Sequence, residues 1–136
     1  MNDTLDIVCH SMGYAYALGM IDVLKDKVPF GRFYIIAPEN PGSISGDDNN
    51  FDKFTEVWQY GSNEAWPADK QDGIAPQEAV KNIKPLPTNT KGGRVFIPSN
   101  GTVRRGFYIS HTVGNYKWIF DQPKHTPNDN GYVAPR

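Results

Sequence analysis

The chain of 136 residues has a single cysteine and only three histidines. It also lacks any apolar run approaching the ~18 residues that a membrane-spanning helix requires. With Cys9 alone, an intrachain disulfide and a thiolate metal site are both excluded. Charge of one sign is lacking too. Fourteen Lys and Arg face fifteen Asp and Glu, for a net charge of -1 and a pI near 6.3. No basic cluster exceeds Arg104-Arg105, so nothing in the electrostatics argues for nucleic acid. There is no His-x-x-x-His and no paired carboxylate–histidine spacing. Asp47-Asp48, with its neighbouring Asn residues, lacks the calcium-loop pattern. No Gly-rich loop matches a phosphate cradle, and Gly92-Gly93 reads as a turn before a strand. Neither a metal nor a cofactor is therefore expected. The start, Met-Asn-Asp-Thr, has no positive or apolar region of the secretory type; as it stands the chain carries no export signal, and its compartment stays open.

What the chain has in excess is loop chemistry. Thirteen glycines and eleven prolines concentrate in residues 38–46, 61–76, 84–101 and 121–136, leaving short regular elements between them. Leu5–Cys9 is continuous and apolar, as in a buried parallel strand. A helix is predicted from Met12 to about Asp26. Ala17, Ile21 and Leu24 form one stripe, with Ala15, Leu18 and Gly19 beside it, and two small residues there would bring the helix close to a sheet. Pro29 and Gly31 end that element. Further strands are predicted at Arg32–Ala37, Phe54–Tyr60 and Arg94–Pro98, with a short helix opening at Pro76 and running to Ile83. Ser99-Asn-Gly101 reads as a turn, Gly106–Ser110 as a short strand pairing back, and Val113–Asp121 as a last helix. Alternating strands and helices imply an α/β fold: a mostly parallel sheet of about four strands with flanking helices in residues 1–121, followed by a polar tail at 122–136.

Chemistry concentrates at Leu5-Asp-Ile-Val-Cys-His-Ser-Met-Gly13. An apolar strand that ends in His-Ser-x-Gly and enters a helix has the layout of a nucleophile elbow, which exposes a catalytic serine. Ser11 would be the nucleophile, and the N–H of Met12 at the helix start would face a developing oxyanion. Gly13 would keep the turn free of a Cβ, and the small Cys9 would stand where a first glycine is usual. The bland alternative is an ordinary helix N-cap, with the Ser11 hydroxyl satisfying the first N–H groups. Trp58, Trp66 and Trp118 could line an apolar or sugar-binding surface, but their spacing fits core and loop anchors better.

The segment Asp6–Ala15 resembles the nucleophile elbow of α/β-hydrolases of the lipase and esterase type. Two later pieces extend the resemblance to about residue 121. Gln71-Asp72-Gly-Ile-Ala-Pro-Gln is similar to the family's acid loop, and Ser110-His111-Thr112 to its histidine loop. The resemblance implies a Ser-His-Asp triad acting on carboxylic esters, including lipid esters, through an acyl-enzyme. His111 would be the general base. His10, inside the elbow, would point away from the serine hydroxyl, and His125 would lie in the solvated tail. Asp72 would orient the base, with Glu39, just after the second strand, as the competing acid. Asp47, Asp48 and Glu64 fit solvent-facing loops, although Gly61–Glu64 also marks a strand end from which an acid could project.

In that family a second oxyanion donor and several strands precede the elbow, whereas here four residues precede Leu5. The resemblance thus implies the C-terminal part of a longer hydrolase. It would have an exposed apolar sheet edge at Leu5–Cys9, to be covered by an N-terminal segment or a partner chain. The alternative function is a non-catalytic α/β-hydrolase remnant that serves as a binding or interaction module.

Overall fold

The computed structural model describes residues 3–44, 49–83, 85–98 and 103–121. The turn predicted at 99–101, the pair Asp47-Asp48, His125 and the tail at 122–136 lie outside them. Four strands form one sheet: β1 (Leu5–His10), β2 (Phe30–Ile36), β3 (Glu56–Gly61) and β4 (Lys91–Phe96). Their spatial order equals their chain order, and every neighbouring pair is parallel. The fold is therefore α/β with an all-parallel sheet among the described residues, and all four strand C-termini lie at one end. Beyond the strands the ladder continues through Ser11 N–H to Ile36 C=O (3.1 Å), Ala37 N–H to Tyr60 C=O (2.8 Å) and Ile97 N–H to Gly61 C=O (3.0 Å). Those bonds align the loops that leave the sheet.

Helix α1 (Gly13–Leu24) covers one face of the sheet with Tyr14, Ala17 and Ile21. These side chains meet Ile7, Cys9, Phe33 and Ile35 in the larger core, where Phe30, Phe33 and Phe54 stack at 4.6–5.2 Å. The other face is covered by a 3-10 turn at Val113–Tyr116 and a short helix, α2 (Trp118–Asp121), which bury Tyr116 and Ile119 against Ile36, Trp58, Tyr60 and Val95. Trp58 is a core residue, and Trp66 and Trp118 pack against the same cluster. The aromatic residues thus anchor the fold and leave no exposed tryptophan surface among the described residues.

Several predicted elements are corrected. The stretch Pro76–Ile83 is not a helix but an extended segment ending in a turn. Side chains of neighbouring elements take the backbone groups that a helix would have paired. The Gln59 amide donates to Glu78 C=O (2.8 Å) and accepts from Val80 N–H (2.7 Å), Asn49 donates to Lys81 C=O (2.6 Å), and Arg94 donates to Gln77 C=O. A helix of two turns has little cooperativity with which to resist such competition. Gly106–Ser110 is a turn rather than a strand, closed by Ser110 N–H on Gly106 C=O (2.8 Å) and by Gly106 N–H on the Ser110 hydroxyl (2.9 Å). The last predicted helix breaks into the 3-10 turn and α2.

Gly92 and Gly93 lie inside β4 rather than in a turn before it. At Gly92, φ is +146°, and a Cβ would sit 1.8 Å from the Val57 carbonyl oxygen, so only glycine lets β4 approach β3 there. Gly19, read as a close-packing residue, is exposed with nothing within 4 Å of a Cβ. At Gly13 an added Cβ would lie 4.0 Å from Cys9 Cβ, an ordinary contact, so the elbow does not need that glycine for space.

Candidate functional site

Ser11 follows the last residue of β1 and precedes α1 by one residue. Its φ is +57°, in the left-handed region. Three of the other non-glycine residues with positive φ are asparagines, which tolerate that region; Ser11 and Ala37 do not belong to that class. Holding such a residue there costs about 1–3 kcal/mol, a cost the surrounding fold must offset. Here the offset comes from both sides. The Ser11 amide bonds to Ile36, and its carbonyl accepts from Tyr14 N–H (3.2 Å) and Glu39 N–H (3.3 Å). The N-cap of α1 is Met12, with no side-chain capping bond. Among the described residues the Ser11 hydroxyl makes no hydrogen bond. The N-cap alternative therefore fails, and the strained strand–turn–helix remains.

The loop after β3 carries Asp72, which is buried. Its Oδ1 accepts from Ile74 N–H (2.8 Å) and Ala75 N–H (3.0 Å), an Asx-type turn that fixes the carboxylate to its own loop. Its own N–H donates to the buried Ser62 hydroxyl (2.8 Å), and its carbonyl accepts from Gln77. The second oxygen, Oδ2, is left for His111 Nδ1 at 2.8 Å. A carboxylate at neutral pH only accepts, so His111 Nδ1 carries the hydrogen. In the neutral ring, Nε2 is then the lone-pair nitrogen.

The loop after β4 presents His111 and is tied to the acid loop at several points. Gly73 N–H donates to Phe107 C=O (3.0 Å), and the Ser110 hydroxyl donates to Lys70 C=O (3.0 Å). The Tyr116 hydroxyl donates to Ser110 C=O from beneath. Burial pushes the Tyr116 hydroxyl above its ordinary pKa, and the nearby Asp72 charge adds to that. Tyr116 therefore stays a protonated donor throughout the physiological range. The base loop also meets the elbow directly. His10 Nε2 lies 2.5 Å from the His111 carbonyl oxygen, and the two imidazoles are 4.8 Å apart, tilted by 50°.

Ser11, Asp72 and His111 thus lie in loops at the C-terminal end of the sheet, the usual location of sites in parallel α/β sheets. Asp72 is bonded to His111, and His10, the neighbour of Ser11, touches His111. Among the described residues neither competing acid is hydrogen-bonded to the base; Glu39 meets the elbow through its backbone N–H on the Ser11 carbonyl. Glu64 forms an ion pair with Arg94 (3.0 Å); burial raises its pKa, but its own backbone N–H and then Arg94 outweigh that and hold it below the ordinary carboxylate value. Met12 N–H makes no hydrogen bond among the described residues and sits at the start of α1, so it is free to meet an anion. Cys9, below the elbow, is buried, and desolvation pushes its thiol up to about 12; it is a core residue and no nucleophile.

Three contributors had no functional reading in the sequence. Ser62 reads as an ordinary loop residue and Tyr116 as part of the predicted last helix, and only the folded register shows that they hold Asp72 and the base loop. Arg94 did carry a signal: a charge inside an apolar strand is rare unless paired. It is nearly buried, stacked 4.9 Å over Phe96, and bonded to both Glu64 and the Gln77 carbonyl under the acid loop. Among the described residues no cluster of His, Cys, Asp and Glu has the makings of a metal site. No described helix is long and apolar enough to cross a membrane. Compared with known proteins, the chain matches no family model, no curated protein and no solved structure.

Proposed function

We propose that the protein is a serine hydrolase of carboxylic esters, lipase- or esterase-like, in which Ser11, His111 and Asp72 act as a triad. The observation that carries the reading is the His111 Nδ1–Asp72 Oδ2 bond of 2.8 Å in a loop that touches the elbow of Ser11. The positive φ of Ser11 supports it independently, because a non-glycine residue keeps that conformation where the surrounding structure imposes it. In this mechanism Ser11 Oγ attacks the acyl carbon as its proton passes to His111 Nε2. The Asp72 carboxylate holds the imidazole in the tautomer that can accept it. Met12 N–H donates to the oxyanion. The protonated His111 then releases the alcohol, and water hydrolyses the acyl-serine by the same steps in reverse.

A fluorophosphonate probe tests this reaction. Ser11 Oγ displaces fluoride from phosphorus, and its proton goes to His111, so a stable phosphonyl-serine should appear on the peptide containing Ser11. Ser11→Ala should abolish that adduct and any p-nitrophenyl ester turnover. A chain that is folded yet unlabelled would refute the reading.

A second reading is a non-catalytic interaction module on the same fold, and the β1–α1 edge favours it. Met12, Tyr16, Met20 and Val23 form an exposed apolar stripe at the N-cap and along α1, and Leu5 and Val8 of the edge strand β1 are exposed as well. A further segment or a partner chain seated on that edge would bury them. Under this reading Ser11 stays unlabelled, while Tyr16→Glu or Val23→Lys changes the association state measured by size exclusion.

A further inference from the structure

We infer that His10 is a positioning residue that clamps the loop of the general base onto the nucleophile elbow; the inference rests on the triad reading above. The geometry leaves little freedom in the sense of the bond. A carbonyl oxygen can only accept, so His10 Nε2 carries a hydrogen and donates it to His111 C=O over 2.5 Å. The residue that donates is covalently next to Ser11, and the residue that accepts is the base itself. One hydrogen bond therefore spans 101 positions of sequence to join nucleophile and base.

The alternation of β1 explains why His10 can do this. Ile7 and Cys9 point into the core beneath α1, so Val8 and His10 project from the opposite face of the sheet. That is the face over which the chain after β4 folds back. The His10 ring thus sits against the His111 ring at 4.8 Å, half-buried, on the face of β1 away from α1. Other ties on the base loop, through Lys70, Gly73 and Asp72, all fasten it to the acid loop. Among the described residues, the His10 bond is the one side-chain bond that fastens it to the elbow. Without it, acid and base could shift together relative to Ser11 while their mutual bond stayed intact. A misplacement of about 1 Å can cost on the order of 100-fold in rate.

Two substitutions separate the hydrogen bond from the ring. His10→Phe keeps an aromatic ring but removes the donor, whereas His10→Gln places an amide N–H at nearly the reach of Nε2. The inference predicts that fluorophosphonate labelling of Ser11 slows by about 10- to 100-fold in His10→Phe. The loss should fall on the maximal rate of inactivation, with probe affinity nearly unchanged, and His10→Gln should recover most of it. Labelling of His10→Phe at the native rate, or a loss in His10→Gln as large as in His10→Phe, would overturn the clamp. Proton NMR gives an arm that needs no reaction. The downfield signal of the His111 Nδ1 hydrogen should persist in the native chain and in His10→Gln, and should broaden through faster exchange in His10→Phe. An unchanged signal in all three would refute the clamp even if the triad reading stands. Failure of native Ser11 to label refutes the triad reading instead, and the NMR arm still decides whether His10 fastens the loop.

Discussion

At the ends of β3 and β4, the residues that matter are polar, buried and hydrogen-bonded: Ser62, Asp72, Ser110 and Tyr116. At the β1–α1 edge the pattern is inverted, with Leu5, Val8, Met12, Tyr16, Met20 and Val23 left exposed. The first region spends its hydrogen bonds on fixing two loops, because a buried polar group without a partner is costly. The second region keeps a helix that is apolar on nearly every side, with Asp22 its one charged residue, yet covers only one stripe of it. A helix apolar all round is ordinarily a buried one. The two regions meet at a single strand end, His10–Ser11, which belongs to the edge by position and to the polar network by its bonds.

The largest expected effect of breaking this contrast lies in the polar region. Asp72→Asn keeps an oxygen for the Ile74 and Ala75 N–H groups but would place an amide before His111 Nδ1, favouring the wrong tautomer. Labelling of Ser11 should fall by about 10⁴-fold while the fold survives, as circular dichroism would verify. Next come two positions on α1 only two residues apart. Ile21→Ala should cost about 2–5 kcal/mol in urea unfolding, whereas Val23→Ala should change stability by less than about 0.5 kcal/mol. Equal costs would mean that the outer stripe is covered after all.

Alkaline pH sharpens the comparison from another side. Cys9, Tyr14 and Tyr116 have folded pKa values raised by burial above their ordinary values of 9.0, 10.0 and 10.0. At neutral pH all three are protonated in both states and add no pH dependence; it begins as pH approaches 9, where the unfolded Cys9 thiol starts to ionise. Above that, the unfolded chain loses protons that the folded chain keeps. Stability should fall as pH rises, by up to about 1.4 kcal/mol per pH unit for each group. Unfolding midpoints measured at pH 8 and pH 10.5 would check the sign. The smallest effect is at Gly19, where open space around the missing Cβ predicts that Gly19→Ala stabilises by roughly 0.5–1 kcal/mol.

The parts of the molecule that were legible in the sequence are those whose own residues decide them. Leu5–Cys9 and Arg32–Ala37 are apolar enough to be strands in any context, and they are paired in β1 and β2. The Ala17-Ile21-Leu24 stripe likewise faces the sheet, although Tyr14, buried at the helix start, was not part of the reading. Pro76–Ile83 went wrong because its partners, Gln59, Asn49 and Arg94, come from elsewhere in the chain, and no local pattern reveals them. Gly92-Gly93 misled in the same way: a glycine pair signals a turn until the neighbouring strand is seen to press against it. At the site, the resemblance of the elbow, the acid loop and the histidine loop pointed to Ser11, Asp72 and His111, and the structure bonds Asp72 to His111 and His10 to the His111 main chain. His10 was read as pointing away from the serine hydroxyl. Its tie to the His111 main chain depends on a loop contact that no spacing rule contains.

The most direct measurement is mass spectrometry of the chain after exposure to a fluorophosphonate, with the adduct mapped by peptide. A single phosphonyl group on Ser11, absent from Ser11→Ala and strongly reduced in Asp72→Asn, is the result expected of a working triad. A folded chain that takes no adduct, or takes it elsewhere than Ser11, would contradict the assignment of Ser11, His111 and Asp72 to acyl-transfer chemistry.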